Sequence, residues 1–121
     1  MLNRHMTHMT SEMQACVQAC MDCHRACTEM MMQCMKMGNC DSNAMKTMMD
    51  CAQMCQMCAD FMMRDSMMSP KVCMMCEEMC RMCAAACEPM AKNDSMMMDC
   101  MKACLACAET CKTMAMKTKA A

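Results

Sequence analysis

The sequence predicts an all-α protein, an antiparallel up-down-up-down four-helix bundle with cysteines lining its core, over residues 1–121 as a single domain. Three observations lead there. One Phe and no Trp or Tyr leave little to build a sheet with, while abundant Met, Ala, Lys, Gln and Glu favour helix. Cysteines recur in steps of three and four, the spacing of one helical face. Turn-like stretches are few and short, and short connections favour antiparallel neighbours. At 121 residues the chain is long enough for one compact domain and too short for two ordinary ones.

The first helix is expected over about 10–37. Thr10 or Ser11 starts it, and Gly38-Asn39 stops it. It carries Cys16, Cys20, Cys23 and Cys27 as CxxxCxxCxxxC and resumes in register with Met31 and Cys34. The second, about 43–65, places Cys51, Cys55 and Cys58 on one face, with Met62 where a fourth cysteine would fall. The third, about 70–87, reads SPKVCMMCEEMCRMCAAAC from Ser69, a capping hydroxyl followed by a proline suited to a first turn. Its thiols are Cys73, Cys76, Cys80, Cys83 and Cys87, and Glu88-Pro89 is expected to end it. The fourth, about 95–117, starts near Asn93-Asp94-Ser95 and repeats the pattern at Cys100, Cys104, Cys107 and Cys111. The tail from Lys117 is expected to fray.

Such stripes belong at the a and d positions that face a bundle axis. The axis would then be lined by 17 thiols, all but Cys40, which follows Gly38 in a loop. Small thiols at every inward position pack poorly where leucines would do better, so the axis must hold something. Thiolates are soft ligands that select Cu(I), Zn(II) or iron–sulfur clusters. Pairs such as Cys16–Cys20 or Cys76–Cys80 could each hold one Cu(I), and facing helices could bridge more. Capacity would run from about 8 ions with private thiolate pairs to about 17 with shared ones. Zinc prefers closed tetrahedra built on loop knuckles, and iron–sulfur proteins group cysteines in loops. Neither fits continuous helical stripes, although zinc stays a competitor.

Methionines extend the stripes at Met6, Met9 and Met13, at Met62, at Met90, and at Met97 and Met114. Met13, Met62, Met97 and Met114 are therefore candidate thioether ligands at the two ends of the tube. Met54, Met57, Met74, Met75, Met79, Met82 and Met101 lie off the stripe and are expected to pack between helices. His5, His8 and His24 read as surface or flanking residues. No Ser/His/Asp grouping or phosphate loop is present, so no enzyme is expected. A thiol oxidoreductase would need one exposed, activated pair at a helix N-terminus, to which Cys73 and Cys76 come nearest.

The net charge of −1 gives no basic footprint for nucleic acid. No run of about 20 apolar residues suggests a membrane span. The N-terminal MLNRHMTHMTSEM lacks the apolar segment of a secretory leader, so the cytoplasm is the expected compartment. That, with the helical spacing, argues against a disulfide scaffold.

The repeated CxxxCxxCxxxC, with QACVQACMDCHRACTE and MDCAQMCQMCADFMMRDS, resembles the cytosolic copper storage proteins over nearly the whole chain. The resemblance implies a four-helix bundle storing many Cu(I) ions on its core cysteines, often as a homo-oligomer, with a copper donor or acceptor protein as partner. The chain would be an unusually Met-rich member or an engineered variant. Members often carry histidines near one mouth, whereas segments 38–45 and 88–99 hold none and Met90, Met96, Met97 and Met98 crowd there instead. A zinc or mixed-metal protein of the metallothionein type is the alternative, and a CxxC oxidoreductase a more distant one.

Overall fold

A computed structural model describes residues 9–120, with the side chains of residues 117–120 excepted. It contains four helices, α1 (Ser11–Met37), α2 (Ser42–Met63), α3 (Ser69–Ala91) and α4 (Ser95–Ala120). α1 packs on α2 and α4, and α3 packs on the same two, so the helices close a ring. Their thiol contacts give the direction. Cys16 meets Cys111 while Cys27 meets Cys100, so α1 and α4 run oppositely. Cys51 meets Cys80 while Cys58 meets Cys73, so α2 and α3 do too.

Local chemistry sets the ends. The Thr10 hydroxyl accepts from the Met13 amide, and Asp41 accepts from Ala44, each satisfying an orphan donor of the first turn. Asp94 does the same for Met96 and Met97. Gly38 closes α1 at φ 66°, its amide donating to the Cys34 carbonyl.

Four expected boundaries shift, one of them the end of α4, which stays helical to Ala120 where fraying from Lys117 is expected. α2 stops at Met63, two residues early, because Asp65 turns into the left-handed region at φ 54°. Ser69 is not the cap of α3 but its first residue. Its hydroxyl donates to the Phe61 carbonyl, and Met68, which caps nothing, precedes it. α3 also runs through Pro89 to Ala91. A proline in a last turn removes a single helical bond, and buried Ala91 with half-buried Met90 holds that turn against the core.

The core contains more than the stripe. Ala52, Ala59, Ala84 and Ala108 are at most 5% exposed, and each directly follows a stripe cysteine. With Val17 and Val72 they let the helix axes approach closely. Of the seven methionines expected to pack between helices, Met54, Met79 and Met101 do pack against the core, whereas Met57, Met74, Met75 and Met82 are exposed. In α1 it is Met30, not Met31, that continues the stripe inward, since the step from Cys27 is three.

Across the surface, Arg81 bonds Glu77 on its own helix at 3.1 Å and Glu109 of α4 at 2.9 Å. Such exposed pairs add little stability. Gly38 matters more. A Cβ there would meet nothing within 4 Å, so Gly38→Ala should cost only the backbone strain of a positive φ, about 1 kcal/mol. Urea unfolding of the metal-free protein measures that cost.

Candidate metal centre

Four stripes of the same period, turned to one axis by the antiparallel ring, bring their sulfurs into contact. Sixteen free cysteines are buried, none more than 1% exposed. Sulfur–sulfur contacts run unbroken from Cys16 through Cys111, Cys20, Cys107, Cys55 and Cys80, with steps between 3.6 and 3.9 Å. They continue through Cys51, Cys23 and Cys104 to Cys27, and from there to Cys83 and Cys100. Cys76 joins at Cys55 and Cys80, and Cys58 lies 3.8 Å from Cys73. The path crosses from helix to helix at nearly every step.

Within it three groups have all four sulfurs within 4.8 Å of one another: Cys20, Cys76, Cys107 and Cys111; Cys23, Cys55, Cys80 and Cys107; and Cys23, Cys27, Cys51 and Cys104. Cys23 and Cys107 each belong to two groups. With metal–sulfur bonds of about 2.3 Å, thiolates on one ion stand roughly 3.8 Å apart in a tetrahedron and roughly 4.0 Å apart in a trigonal plane. The thiols already keep nearly those separations, so a soft ion could be held with little rearrangement of the helices.

Thiols this close cannot all ionise without a cation between them. Cys104 is pushed well above the usual thiol range, first by its hydrogen bond with Cys100, then by Cys23, Cys27, Cys51 and burial. Cys111 rises for the same reasons, chiefly through Cys107. Cys87 rises through its bond with Cys100. Some neighbours move the other way, Cys23 being held down to about 7 and Cys83 to about 6, both mainly by Cys104. The metal-free network thus mixes proton holders with thiols inclined to release theirs.

One expected ligand is placed differently. Cys34, inward and 1% exposed, is joined to Cys40 in a disulfide that closes over the Gly38 turn. A disulfide sulfur carries no thiolate charge, so the pair stands outside the free-thiol set. The periodicity that marked Cys34 as inward could not show a partner six residues on.

Among the methionines, the Met62 sulfur accepts from Cys73 at 3.7 Å. Met97 and Met114 are buried, and Met9 is too, while Met13 is half-buried against the core. Met30 and Met48 are buried at the α1 C-terminal end, three residues beyond Cys27 and three before Cys51. The same arithmetic that found Met62 would have found them. Met6, His5 and His8 lie outside the described residues. His24 points away from the thiols, its Nδ1 donating to the Ala52 carbonyl of α2 at 2.8 Å. Cys73 and Cys76 are at most 1% exposed, unlike the accessible pair of a thiol oxidoreductase.

Comparison with known proteins agrees with this architecture. Residues 9–116 match the family model described as copper storage protein. The Nmul_A1745 protein of Nitrosospira multiformis superposes with a TM-score of 0.80 at 38% identity, over 88% of this chain and 96% of that one. The Cu(I)-bound copper storage protein BsCsp3 gives 0.77 at 30% identity, over 87% and 99%. The apo form of copper storage protein 3 from Bacillus subtilis gives 0.72 at 30% identity, over 84% and 97%. No protein with a curated description matches the chain.

Because bound thiols must be deprotonated, filling the axis releases protons. Early ions should release roughly two each and late ions roughly one, as thiolates come to be shared. Binding accordingly weakens as pH falls. Proton release in weak buffer during an anaerobic titration measures both effects.

Proposed function

Because the chain belongs to the copper storage protein family, we propose that it binds and stores many Cu(I) ions along the bundle axis on the thiolates of its core cysteines. The observation that carries this reading is the unbroken sulfur path. A single structural site needs four ligands, and a catalytic centre needs one open position. Sixteen buried thiols, thirteen of them joined in one run of sulfur contacts, serve neither purpose, but they suit a cargo of many soft cations. Each cation offsets the charge of thiolates that burial would otherwise forbid. The reading is of a storage protein rather than an enzyme.

The ligand set proposed is the sixteen free thiols, with Met62, Met13, Met97 and Met114 as thioethers at the ends. Cys34 joins them only if its bond to Cys40 is reduced. Ions entering singly would occupy pairs or triads, and sharing at Cys23 and Cys107 lets neighbouring sites fill without new ligands. Supply must come on a carrier, since Cu(I) travels bound to soft ligands, and return must go to a stronger one.

Zinc is the second reading, because the three four-sulfur groups have close to tetrahedral spacing. Shared corners count against it, since structural zinc closes its own tetrahedron. Reduced protein titrated anaerobically with Cu(I) against a competing chelator, then with Zn(II), separates the two. Storage is expected to give tight uptake of about 8 to 16 Cu(I) by an already helical apo protein. Saturation at one or two Cu(I), or tight binding of about four Zn(II) with weak copper binding, overturns it. Cys107→Ala should lower copper capacity more than Cys87→Ala, because Cys107 is common to two groups. Metal analysis of the saturated variants after desalting gives the comparison.

A further inference from the structure

Methionine covers the outside of this bundle in a way that packing does not explain. Thirteen of the fourteen exposed large hydrophobic side chains among the described residues are methionines, the exception being Leu105. Met57, Met74, Met75 and Met82, expected to pack between helices, instead stand 37–55% exposed. Each directly adjoins a stripe cysteine, Cys58, Cys73, Cys76 and Cys83 in turn, and those thiols are at most 1% exposed. Lys, Gln or Glu would suit an exposed helix position as well by propensity and better by solubility. What methionine adds there is an accessible thioether sulfur.

We propose that the exposed methionines form a sacrificial layer that consumes two-electron oxidants, of the hypohalous acid class, before they reach the thiols of the axis. This function is additional to storage and protects the thiols whether or not they hold metal.

The packing of the axis makes it vulnerable. An oxidised thiol becomes a sulfenic acid, which condenses with a second thiol to a disulfide. Along the path from Cys16 to Cys100 sulfurs lie 3.6 to 4.0 Å apart, so that second thiol is at hand. One oxidant molecule reaching the axis therefore removes two ligands. The same molecule met by Met75 or Met82 alters one surface side chain. An exposed sulfoxide is polar and disturbs no packing, and methionine sulfoxide reductases return it to the thioether.

The step balances without the metal. The thioether sulfur gives up two electrons and gains one oxygen. Hypochlorous acid loses its O–Cl bond and departs as chloride and a proton. Position favours the thioethers, because oxidation follows exposure and a buried thiol is reached only when the helices open.

Burial alone is the competing protection, and leucine separates the two. Leucine keeps the apolar volume, removes the sulfur and suits an exposed helix position. Metal-free protein receives rising equivalents of hypochlorous acid, and the thiols that remain are counted in denaturant. Thiol loss should begin about four equivalents earlier in Met57→Leu/Met74→Leu/Met75→Leu/Met82→Leu than in wild type, one for each thioether removed. The same onset in both overturns the proposal. Peptide mass mapping of the wild-type protein gives a second reading that needs no variant. Sulfoxide should appear at these four methionines before it appears at Met48, which is 0% exposed, and before any free cysteine is oxidised. Cysteine oxidation ahead of them defeats the layer. In Cu(I)-loaded protein, copper release should likewise begin earlier in the variant. A wild-type load of one or two ions overturns storage alone, since the thiol count of metal-free protein still decides the layer.

Discussion

Everything in this bundle depends on one electrostatic constraint: thiols packed sulfur to sulfur away from water cannot become anions unless cations lie between them. A leucine core would be self-sufficient. Here the inward positions carry a group that is small, weakly cohesive and acidic enough to exchange its proton for a metal. The helices supply what the thiols cannot, through caps at Thr10, Asp41 and Asp94 and through alanines that bring the axes together. The helices thus have supports of their own beside the thiols, and the axis can serve as a site.

The same constraint orders the chemistry along the axis. A thiol such as Cys104, pressed by four neighbours, resists ionising by itself, while Cys83 nearby is held down to about 6. An arriving Cu(I) removes the penalty locally, because it binds the thiolate and screens it from the next. Since sulfurs recur every 3.6 to 4.0 Å along the path from Cys16 to Cys100, an ion bound on it has its next ligands in reach. Discrete closed sites would lack that property.

Helix positions and the inward set were legible because both follow from periodicity. A spacing of three and four fixes a face whatever residue occupies it, so the sixteen free thiols were all anticipated. What escaped belongs to other interactions. Pro89 survives in a helix because tertiary contacts at Ala91 outweigh one lost bond. The Ser69 hydroxyl turns to Phe61 instead of capping, which depends on how α2 ends. The bond between Cys34 and Cys40 reflects the fold of the Gly38 turn. The buried alanines were hidden by their ordinariness, although each sits beside a marked cysteine.

The pairing of Cys16 with Cys111 joins segments 95 residues apart in sequence. An ion bridging them would act as a rivet between the first helix and the last, and others between Cys20 and Cys107 or Cys27 and Cys104 would add more. Such clasps restrict the opened chain over its longest loops, where cross-links reduce its freedom most. A filled bundle is therefore harder to unravel and to digest than an empty one. The rate at which a protease cuts the chain should then fall as the cargo grows.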